Sequence, residues 1–377
     1  MAKIAYFDNG GTTVIADEAL AEMMPFFGVH YGNPSSIHSM GDTAIKAVTT
    51  ARKRVSAALN CRPSEIVFTS GGTEADNMAL LGTVPYSGRK KVITSATEHS
   101  AVLESCVRLK NMGYDVAVLP VDNEGKVSIE SLKQYIDKNT AIVSIMTANN
   151  VIGTIQPIAE LCDIAHSYGS LFHTDAVQAF TKTDTDVTKS GADLLSLSGH
   201  KIHGPKGIGA LYVKSGVKIE PIILGGGQEN GLRSSTENVP GIVGFGKAAE
   251  LAMSTMNDDV KKMEKMRDLV INKVLSIKGA YLNGPNDERL CNNAHFGFSG
   301  VKGMDLVLSL SKMNIMASTA SACSAGSTEP SHVMTAIGRT PEESLSSLRI
   351  SLSRYTTDDE IDMLLDSLPK ALKNIRG

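Results

Sequence analysis

Three features that would suggest a secreted or membrane protein are missing from this 377-residue sequence. Its five cysteines are scattered and include no CxxC pair, which argues against a disulfide framework or a zinc site and for a reducing compartment. No apolar run approaches the roughly 20 residues needed to span a bilayer. The start, MAKIAYFDNGG, has no basic segment followed by an apolar one. We therefore expect a soluble, cytoplasmic protein.

An excess of charge of one sign is also missing, because 37 basic residues balance 40 acidic ones for a net charge of -3. This balance gives no electrostatic reason to expect nucleic acid or a membrane surface as a partner. The composition is 42% hydrophobic. Because single cores stop growing at roughly 250–300 residues, this length predicts two domains.

Short β-rich runs alternate with helical patterns from about residue 16 to 250. The predicted strands are EIVFTS (65–70), KVITSA (91–96), DVAVLPV (115–121), TAIVSIMTA (140–148), SLFHTDA (170–176), DLLSLSG (193–199) and GALYVK (209–214). Several are continuous Val/Ile/Leu runs, which are typical of strands covered on both faces. The alternation predicts an α/β domain with a mostly parallel sheet flanked by helices. Ligands bind such sheets beyond the carboxyl ends of the strands.

A polar helical pattern at about 250–276 predicts a bridge to a smaller α+β domain. That domain would contain AHFGFSG, GMDLVLSLSKMNIMA and RISLSRY, and a last helix capped by Thr357 with acids in its first turn. We expect the large domain to span 15–250 and the small domain to combine 1–14 with 251–377.

Polar residues follow several of the predicted strands. Gly72 and Thr73 open a helix after the first strand, where free amide groups suit a phosphate, although an ordinary capped turn is equally compatible. His99 follows the second strand, where a lone histidine is usually structural. Asn149 and Asn150 follow a third strand, where they would either read a ligand's polar edge or complete a turn.

Asp175 ends another predicted strand, with Gln178 three residues on, and a helix N-cap is its alternative role. Lys201 follows the apolar run DLLSLSG. Desolvation there would lower the pKa of its ammonium and supply a neutral nucleophile, whereas the alternative is a lysine that extends to solvent. Together with the helix start at Thr73, these residues match pyridoxal phosphate, which needs an amine, a carboxylate at the pyridine nitrogen and a phosphate site.

Ten ordered segments then carry a family resemblance. They are FDNGGTT, GNPSSIH, VFTSGGTEADN, TEHSAV, ANNVIG, HTDAVQ, SLSGHKIHGPKGIGALYV, LGGGQENGLRSSTENVPGIVGFG, SACSAGSTEPSHV and LRISLSR. The chain resembles the cysteine desulfurases of the NifS/IscS type, which are fold-type I, class-V aminotransferase-like pyridoxal-phosphate enzymes. This resemblance implies conversion of L-cysteine to L-alanine, with transfer of the sulfur to an enzyme cysteine as a persulfide.

The resemblance implies a role for each matching residue. Lys201 would bond to the cofactor aldehyde, Asp175 would pair with the pyridine nitrogen, and His99 would stack on the ring. The remaining cofactor residues would be Gly72, Thr73, Asn150, Gln178, Ser198, Gly199, His200 and Thr236. Thr236 would reach the phosphate of a neighbouring subunit, which implies a homodimer. Arg349 would bind the substrate carboxylate, and Asn150 would lie on the substrate side of the cofactor. A surface salt bridge is the alternative role for Arg349.

Cys323 carries the implied reaction type. It lies among small residues in MASTASACSAGSTEPSH, and a buried structural thiol is the alternative that we assign to the other four cysteines. As a thiolate it would attack the substrate sulfur and pass it to an acceptor, such as an iron–sulfur scaffold or a tRNA-thiolation enzyme. No resident metal is expected, but transient ligation of an iron–sulfur cluster by Cys323 stays open.

Three other functions remain as alternatives: a class-V aminotransferase, a selenocysteine lyase on the same fold, and a non-catalytic sulfur-pathway adaptor. The cysteine loop argues against the first of these. The family often has Ala where this chain has Gly10 and Gly11, and Gly where it has Ser235 and Ala320. These departures affect loop flexibility and rate more than the type of reaction.

Overall fold

The computed structural model describes residues 4–319 and 330–376. Its strands are β1 Ala5–Tyr6, β2 Ile66–Thr69, β3 Lys91–Ser95, β4 Asp115–Leu119, β5 Thr140–Ser144, β6 Leu171–Asp175, β7 Leu194–Ser198, β8 Gly209–Val213, β9 Ala280–Asn283, β10 Asn293–Phe298, β11 Ile315–Met316 and β12 Ser347–Ser351. Its α-helices are α1 Asp17–Met23, α2 Pro25–Gly28, α3 Ser39–Ala58, α4 Gly72–Thr83, α5 Ser100–Asn111, α6 Ile129–Tyr135, α7 Ile158–Ser167, α8 Val187–Ser190, α9 Val239–Leu275, α10 Gly303–Lys312, α11 His332–Ala336, α12 Pro341–Leu345 and α13 Asp358–Arg376.

A seven-stranded sheet forms the centre of the larger body, in the order β2-β8-β7-β6-β5-β3-β4. Strand β8 is antiparallel to both neighbours, and the other pairs are parallel. All seven predicted strands are present, and the predicted α/β class with a mostly parallel sheet is confirmed. The carboxyl ends of β3, β5, β6 and β7 meet at one edge of the sheet. This edge is where such folds bind ligands.

Helix α9 begins at Val239, so the predicted start near 250 is wrong. Asn238 caps it, because its side chain accepts a hydrogen bond from the Gly241 amide at 3.1 Å. Glycines in the first turns weaken the helical signal in the sequence. Gly246 is required because α3 packs very closely: a Cβ built on this residue would lie 2.6 Å from the Ala51 backbone.

The long helix contributes to two separate cores. Its first half packs Ile242 and Phe245 into the core of the large sheet, whereas its second half packs Met266 and Val270 against Phe296. This second core also lies against the antiparallel sheet β12-β10-β9 and receives Ala5 and Phe7 from the N-terminal segment. The predicted domain limits stay a prediction, but the two cores give each proposed domain its own interior.

The last helix begins as the sequence predicts. Thr357 and Glu360 form reciprocal hydrogen bonds, with the Glu360 carboxylate accepting from the Thr357 amide at 2.8 Å. The face with Ile361, Leu364 and Leu368 is buried in the second core. Within the described ranges, no helix has both the length and the apolar character required to cross a bilayer.

Gly246→Ala should destabilise the protein, although alanine favours helix more than glycine does. The added methyl group would overlap the Ala51 backbone, and overpacking of this kind costs about 1–3 kcal/mol. Thermal melting should show a lower midpoint. Ser254→Ala, on the exposed face of the same helix, should leave the midpoint nearly unchanged. An unchanged midpoint for Gly246→Ala would show that the α3–α9 contact is not close-packed.

Candidate active site

A cavity of about 340 Å³ lies at the carboxyl edge of the large sheet. Most of the residues that the sequence predicts to be catalytic or ligand-binding line this cavity. The predicted residues that line it are Gly72, Thr73, His99, Asn150, Asp175, Gln178, Ser198, His200, Lys201 and Arg349. Gly199 and Thr236 do not line it, and Cys323 lies outside the described residues.

Lys201 ends a short 3-10 turn that directly follows β7. Its Nζ donates hydrogen bonds to the carbonyl oxygens of Gly10 and Gly11, both at 2.6 Å. The amine is therefore fixed within the cavity, and the alternative of a solvent-extended lysine is wrong. The N-terminal segment that supplies these carbonyls also receives a hydrogen bond from Gln178 Nε2 to the Gly10 oxygen at 2.9 Å.

Asp175 holds a turn and caps no helix, so its alternative role as a helix N-cap is wrong. Its Oδ1 accepts a hydrogen bond from the Val177 amide at 2.8 Å, which holds the turn after β6. The side chain also lines the cavity and is buried. Burial raises the pKa of this carboxyl, while His99 and Lys201 oppose that rise by favouring the charged form. The carboxylate is thus placed beside cationic or polar partners in a low-dielectric environment.

Two further carboxyl groups surround Asp175 and were not singled out from the sequence. Asp76 on α4 lines the same cavity, and burial together with Asp175 raises its pKa well above the ordinary value. Burial also raises the pKa of Glu98 to about 8. Three buried acids this close cannot all be ionised at neutral pH. The sequence could have identified Asp76, because an acidic residue on the apolar face of a buried helix is unusual.

His173 connects this cluster to the middle of the sheet. Its Nδ1 lies 2.8 Å from Ser144 Oγ and its Nε2 lies 3.0 Å from Ser196 Oγ. The ring is fully buried, and burial lowers its pKa to about 3, so it is neutral at neutral pH. Asp76 Oδ1 lies 3.6 Å from the same Nε2 and has no hydrogen-bond partner among the described residues.

The amino end of α4 forms one end of the cavity. Gly72 lies against Val177, where a Cβ would come within 2.7 Å of Val177 Cγ2, so only glycine fits without movement. The first amide groups of a helix have no partner within the helix and favour an anion. Thr73, Ser198 and His200 line both this cavity and an adjoining open one of about 440 Å³.

The adjoining cavity adds two residues that sequence reasoning missed, Thr12 and Lys206. Thr12 Oγ1 lies 3.1 Å from His200 Nδ1. Burial and the nearby Lys201 lower the pKa of His200 to about 4, so the imidazole acts as a neutral hydrogen-bonding group. Lys206 carries a positive charge at the end of the cavity where an anion would bind.

His99 and the two asparagines divide between structural and cavity-lining positions. His99 caps α5, with its Nδ1 accepting from the Ala101 amide at 3.1 Å, and it also lines the cavity. The Asn149 side chain completes a turn by accepting from the Val151 and Ile152 amides at 2.8 and 2.9 Å. Asn150 is the member of the pair that lines the cavity.

Arg349 lies in β12 and is 2% exposed, so the alternative of a surface salt bridge is wrong. Its Nη2 donates to Asp8 Oδ1 at 2.8 Å and its Nη1 donates to the Asn150 carbonyl at 2.9 Å. Both Asp8 and Arg349 line the cavity. Asp8 was not singled out from the sequence, although it stands in the quoted segment FDNGGTT.

Gly199 and Thr236 are the predicted cofactor residues that this chain does not bring to the cavity. Gly199 is buried, and a Cβ there would lie 2.9 Å from Ile208 Cγ2, so its role is packing of the turn before Lys201. Thr236 is exposed. A single copy of the chain therefore leaves Thr236 without a contact to the cavity lining.

Four cysteines fall within the described ranges, and all are free thiols. Burial raises the pKa of Cys61, Cys106, Cys162 and Cys291 to about 12 in each case. They are therefore protonated at neutral pH, and none of them lines the cavity. These observations agree with the structural role that we assign to them from the sequence.

The described residues on both sides of 320–329 lie beside the cavity. On one side, Ser318 pairs with Arg349 through two backbone hydrogen bonds, of which the Arg349 amide donates one at 2.7 Å. On the other side, His332 Nε2 lies 2.9 Å from the Glu98 carbonyl oxygen, next to His99. Cys323 lies between these two positions in the sequence.

Comparison with known proteins agrees with this geometry. Residues 5–364 match the family model "Aminotransferase class-V". The "Cysteine desulfurase IscS" of Clostridium botulinum (strain Hall) is 48% identical, and the alignment covers 100% of this chain and 96% of that protein. A solved "NifS-like protein" superposes with a TM-score of 0.93 at 38% identity, covering 99% of this chain and 100% of that one.

A second solved structure, described as "SspA in complex with cysteine", superposes with a TM-score of 0.82 at 36% identity. It covers 94% of this chain and all of that chain. The family match, the full-length relatives and the shared architecture lead to one assignment. The chain belongs to the class-V aminotransferase family, within its cysteine desulfurases of the NifS/IscS type.

Proposed function

We propose that this chain uses pyridoxal 5′-phosphate to convert L-cysteine to L-alanine and takes up the sulfur on Cys323. The observation that carries the proposal is a single cavity that joins Lys201, Asp175 and a helix amino end, with Ser318 and His332, which flank the stretch containing Cys323 in the sequence, held beside it. Relatives named cysteine desulfurase and a neighbouring structure in complex with cysteine support the same substrate.

The residues around the cavity fit this cofactor. The amino end of α4, with Thr73, Ser198 and His200, would hold the phosphate, and Asp175 would hold the pyridine nitrogen. Gln178 would face the ring oxygen, and His99 the ring. When bound, the cofactor supplies an aldehyde that captures the substrate amine and a ring that accepts the electrons of the Cα–H bond.

Lys201 and Arg349 perform the first half of the reaction. Arg349 binds the substrate carboxylate through its guanidinium group, which orients the Cα–H bond toward Lys201. The Lys201 amine, which lines the same cavity, would take the Cα proton as a general base. Burial raises the pKa of Asp175, but His99 and Lys201 oppose that rise and favour the carboxylate with which a pyridine nitrogen would pair.

Cys323 performs the second half. Its thiolate attacks the substrate sulfur, so a sulfur–sulfur bond forms while the Cβ–sulfur bond breaks. The electron pair of the broken bond returns to the substrate carbon, and two protons complete L-alanine. The enzyme is left with a Cys323 persulfide, which balances the atoms and electrons of the step. The four described thiols support this assignment, because burial keeps them protonated.

The persulfide would then pass to an acceptor protein. The name of the full-length relatives supports iron–sulfur cluster assembly as the destination, and a tRNA-thiolation enzyme is the other acceptor class that we propose. Free thiols suit a reducing compartment, so we place the enzyme in the cytoplasm.

A homodimer would complete the site. Exposed apolar side chains cluster between residues 24 and 37, including Phe27, Val29, Tyr31 and Ile37. Several exposed apolar side chains within one short stretch of chain are typical of a protein–protein interface. Because Thr236 is exposed and does not reach its own cavity, it is available to contact the phosphate bound by a second copy.

Ile37→Asp should convert the dimer to a monomer and weaken binding of pyridoxal phosphate. A charge placed at the centre of an apolar interface loses water without gaining a partner. Light scattering gives the mass, and fluorescence titration gives the cofactor affinity. Val107→Asp, an equally apolar exposed position on α5, should remain dimeric. A dimeric Ile37→Asp would contradict this interface.

Cys323→Ala should bind the cofactor but produce neither alanine nor sulfide from L-cysteine, because no other described thiol is positioned to attack. Chromatographic alanine analysis and a sulfide assay measure the two products. Cys61→Ala is the matched control and should keep full activity, whereas Lys201→Ala should lose turnover entirely. Normal turnover by Cys323→Ala would disprove the assignment. Release of selenide from L-selenocysteine without any activity on L-cysteine would indicate a selenocysteine lyase instead.

Arg349→Gln, which removes the positive charge, should lower kcat/KM for L-cysteine by about 100-fold, since truncating one partner of a desolvated charge pair costs about 2–5 kcal/mol. Cysteamine, which lacks the carboxylate, should be an equally poor substrate for both proteins. A loss that is as large for cysteamine as for L-cysteine would mean that Arg349 supports the fold and does not bind the carboxylate.

A further inference from the structure

The guanidinium group that we assign to the substrate carboxylate is already paired within the protein. Arg349 is 2% exposed, and its Nη2 donates to the Asp8 carboxylate at 2.8 Å. Nη1 donates to a backbone carbonyl, and Nε finds no acceptor among the described residues. The Asp8 carboxylate therefore occupies Nη2, one of the donors that a substrate carboxylate would use.

A guanidinium group this deeply buried requires a negative charge nearby, because an unpaired buried charge is strongly destabilising. Asp8 supplies that charge from the N-terminal segment and is 28% exposed on the side of the cavity. A bound carboxylate has the same charge and the same acceptor geometry. It can replace Asp8 without leaving Arg349 unpaired, and Asp8 can then turn toward water.

Two glycines make room for this arrangement. A Cβ on Gly11 would lie 2.7 Å from Asp8 Oδ2 and 3.0 Å from Asp8 Cγ, so any side chain at residue 11 would displace the carboxylate. A Cβ on Gly10 would lie 3.3 Å from Arg349 Cζ. The space beside the ion pair thus depends on glycine at both positions.

We propose that Asp8 is an internal counter-ion of Arg349 that the substrate carboxylate displaces, and that it is thereby a specificity-determining residue. The inference rests on the proposed function of Arg349. Displacement of Asp8 opposes binding of every carboxylate, so a ligand must bring further contacts to compete. Simple carboxylates are rejected, whereas an amino acid that also reaches the cofactor and the thiol site is retained.

The test compares the full-length protein as purified with its Asp8→Asn variant. Asparagine keeps the shape of the side chain but removes the competing charge. We expect KM for L-cysteine to fall about 10-fold, as it does when a ligand no longer has to displace a self-bound state that is nine-tenths populated. Calorimetric Kd for 3-mercaptopropionate, which has the carboxylate and thiol but no amine, should fall by the same factor.

Three controls make the result specific. Cysteamine has no carboxylate, so its kinetics should not change in Asp8→Asn. Asp184→Asn removes an exposed aspartate that pairs with Lys189 on the surface and should leave KM and Kd unchanged. Gly11→Ala should lower KM and Kd in the same direction as Asp8→Asn, because the methyl group displaces the carboxylate without changing the charge. Gly11→Ala also decides the matter if Asp8→Asn fails to fold.

The opposite result is equally clear. If Asp8→Asn and Gly11→Ala leave Kd for 3-mercaptopropionate unchanged or raise it, Asp8 does not compete with the ligand and the proposal is wrong. The calorimetric measurement separates this failure from a failure of the proposed function. A protein that does not turn over L-cysteine would still show, through the carboxylate Kd, whether Asp8 occupies the binding site.

Discussion

The hydrogen bonds from Lys201 to the carbonyl oxygens of Gly10 and Gly11 join the two halves of the active site. Those carbonyls belong to an N-terminal segment whose Gly10 amide donates to Ser351 Oγ at 2.7 Å, on the strand that also carries Arg349. The N-terminal segment therefore connects the sheet that would bind the cofactor to the strand that would bind the substrate. Because the rate depends on how closely the reacting groups are held together, the proposed catalytic geometry depends on these hydrogen bonds.

Burial of the carboxyl groups around the cavity shifts their pKa values and so affects which of them are charged. Asp76, Glu98 and Asp175 lie together, and burial raises the pKa of each. Cationic neighbours favour ionisation at Asp175 alone, which is where a protonated pyridine nitrogen would need it. The other acids then keep their protons and serve as hydrogen-bonding groups. A single negative charge at one place is easier to stabilise in a low-dielectric site than several.

The sequence predicts the parts of this structure that local patterns determine. Continuous apolar runs mark the strands of the large sheet, and the residues at their carboxyl ends include Asp175 and Lys201, which do meet in one cavity. Local patterns do not show which groups meet across the chain. Asp8 and Arg349 are 341 residues apart, so no local pattern around either residue predicts that they pair. Likewise, the glycines in the first turns of α9 weaken its helical pattern in the sequence. The close contact between Gly246 and α3 is visible only in the structure.

The candidate site lies where the two cores meet, because the elements around each core contribute different residues to it. The proposed cofactor groups lie at the carboxyl end of the large sheet, whereas Arg349 lies on β12, whose Leu348 and Ile350 belong to the second core. The described residues that flank 320–329 lie close by, since Ser318 pairs with Arg349 and His332 lies against the Glu98 carbonyl. Under the proposed function, one binding event at Arg349 would orient the substrate toward both Lys201 and Cys323, which belong to different parts of the chain and would otherwise have to be aligned separately.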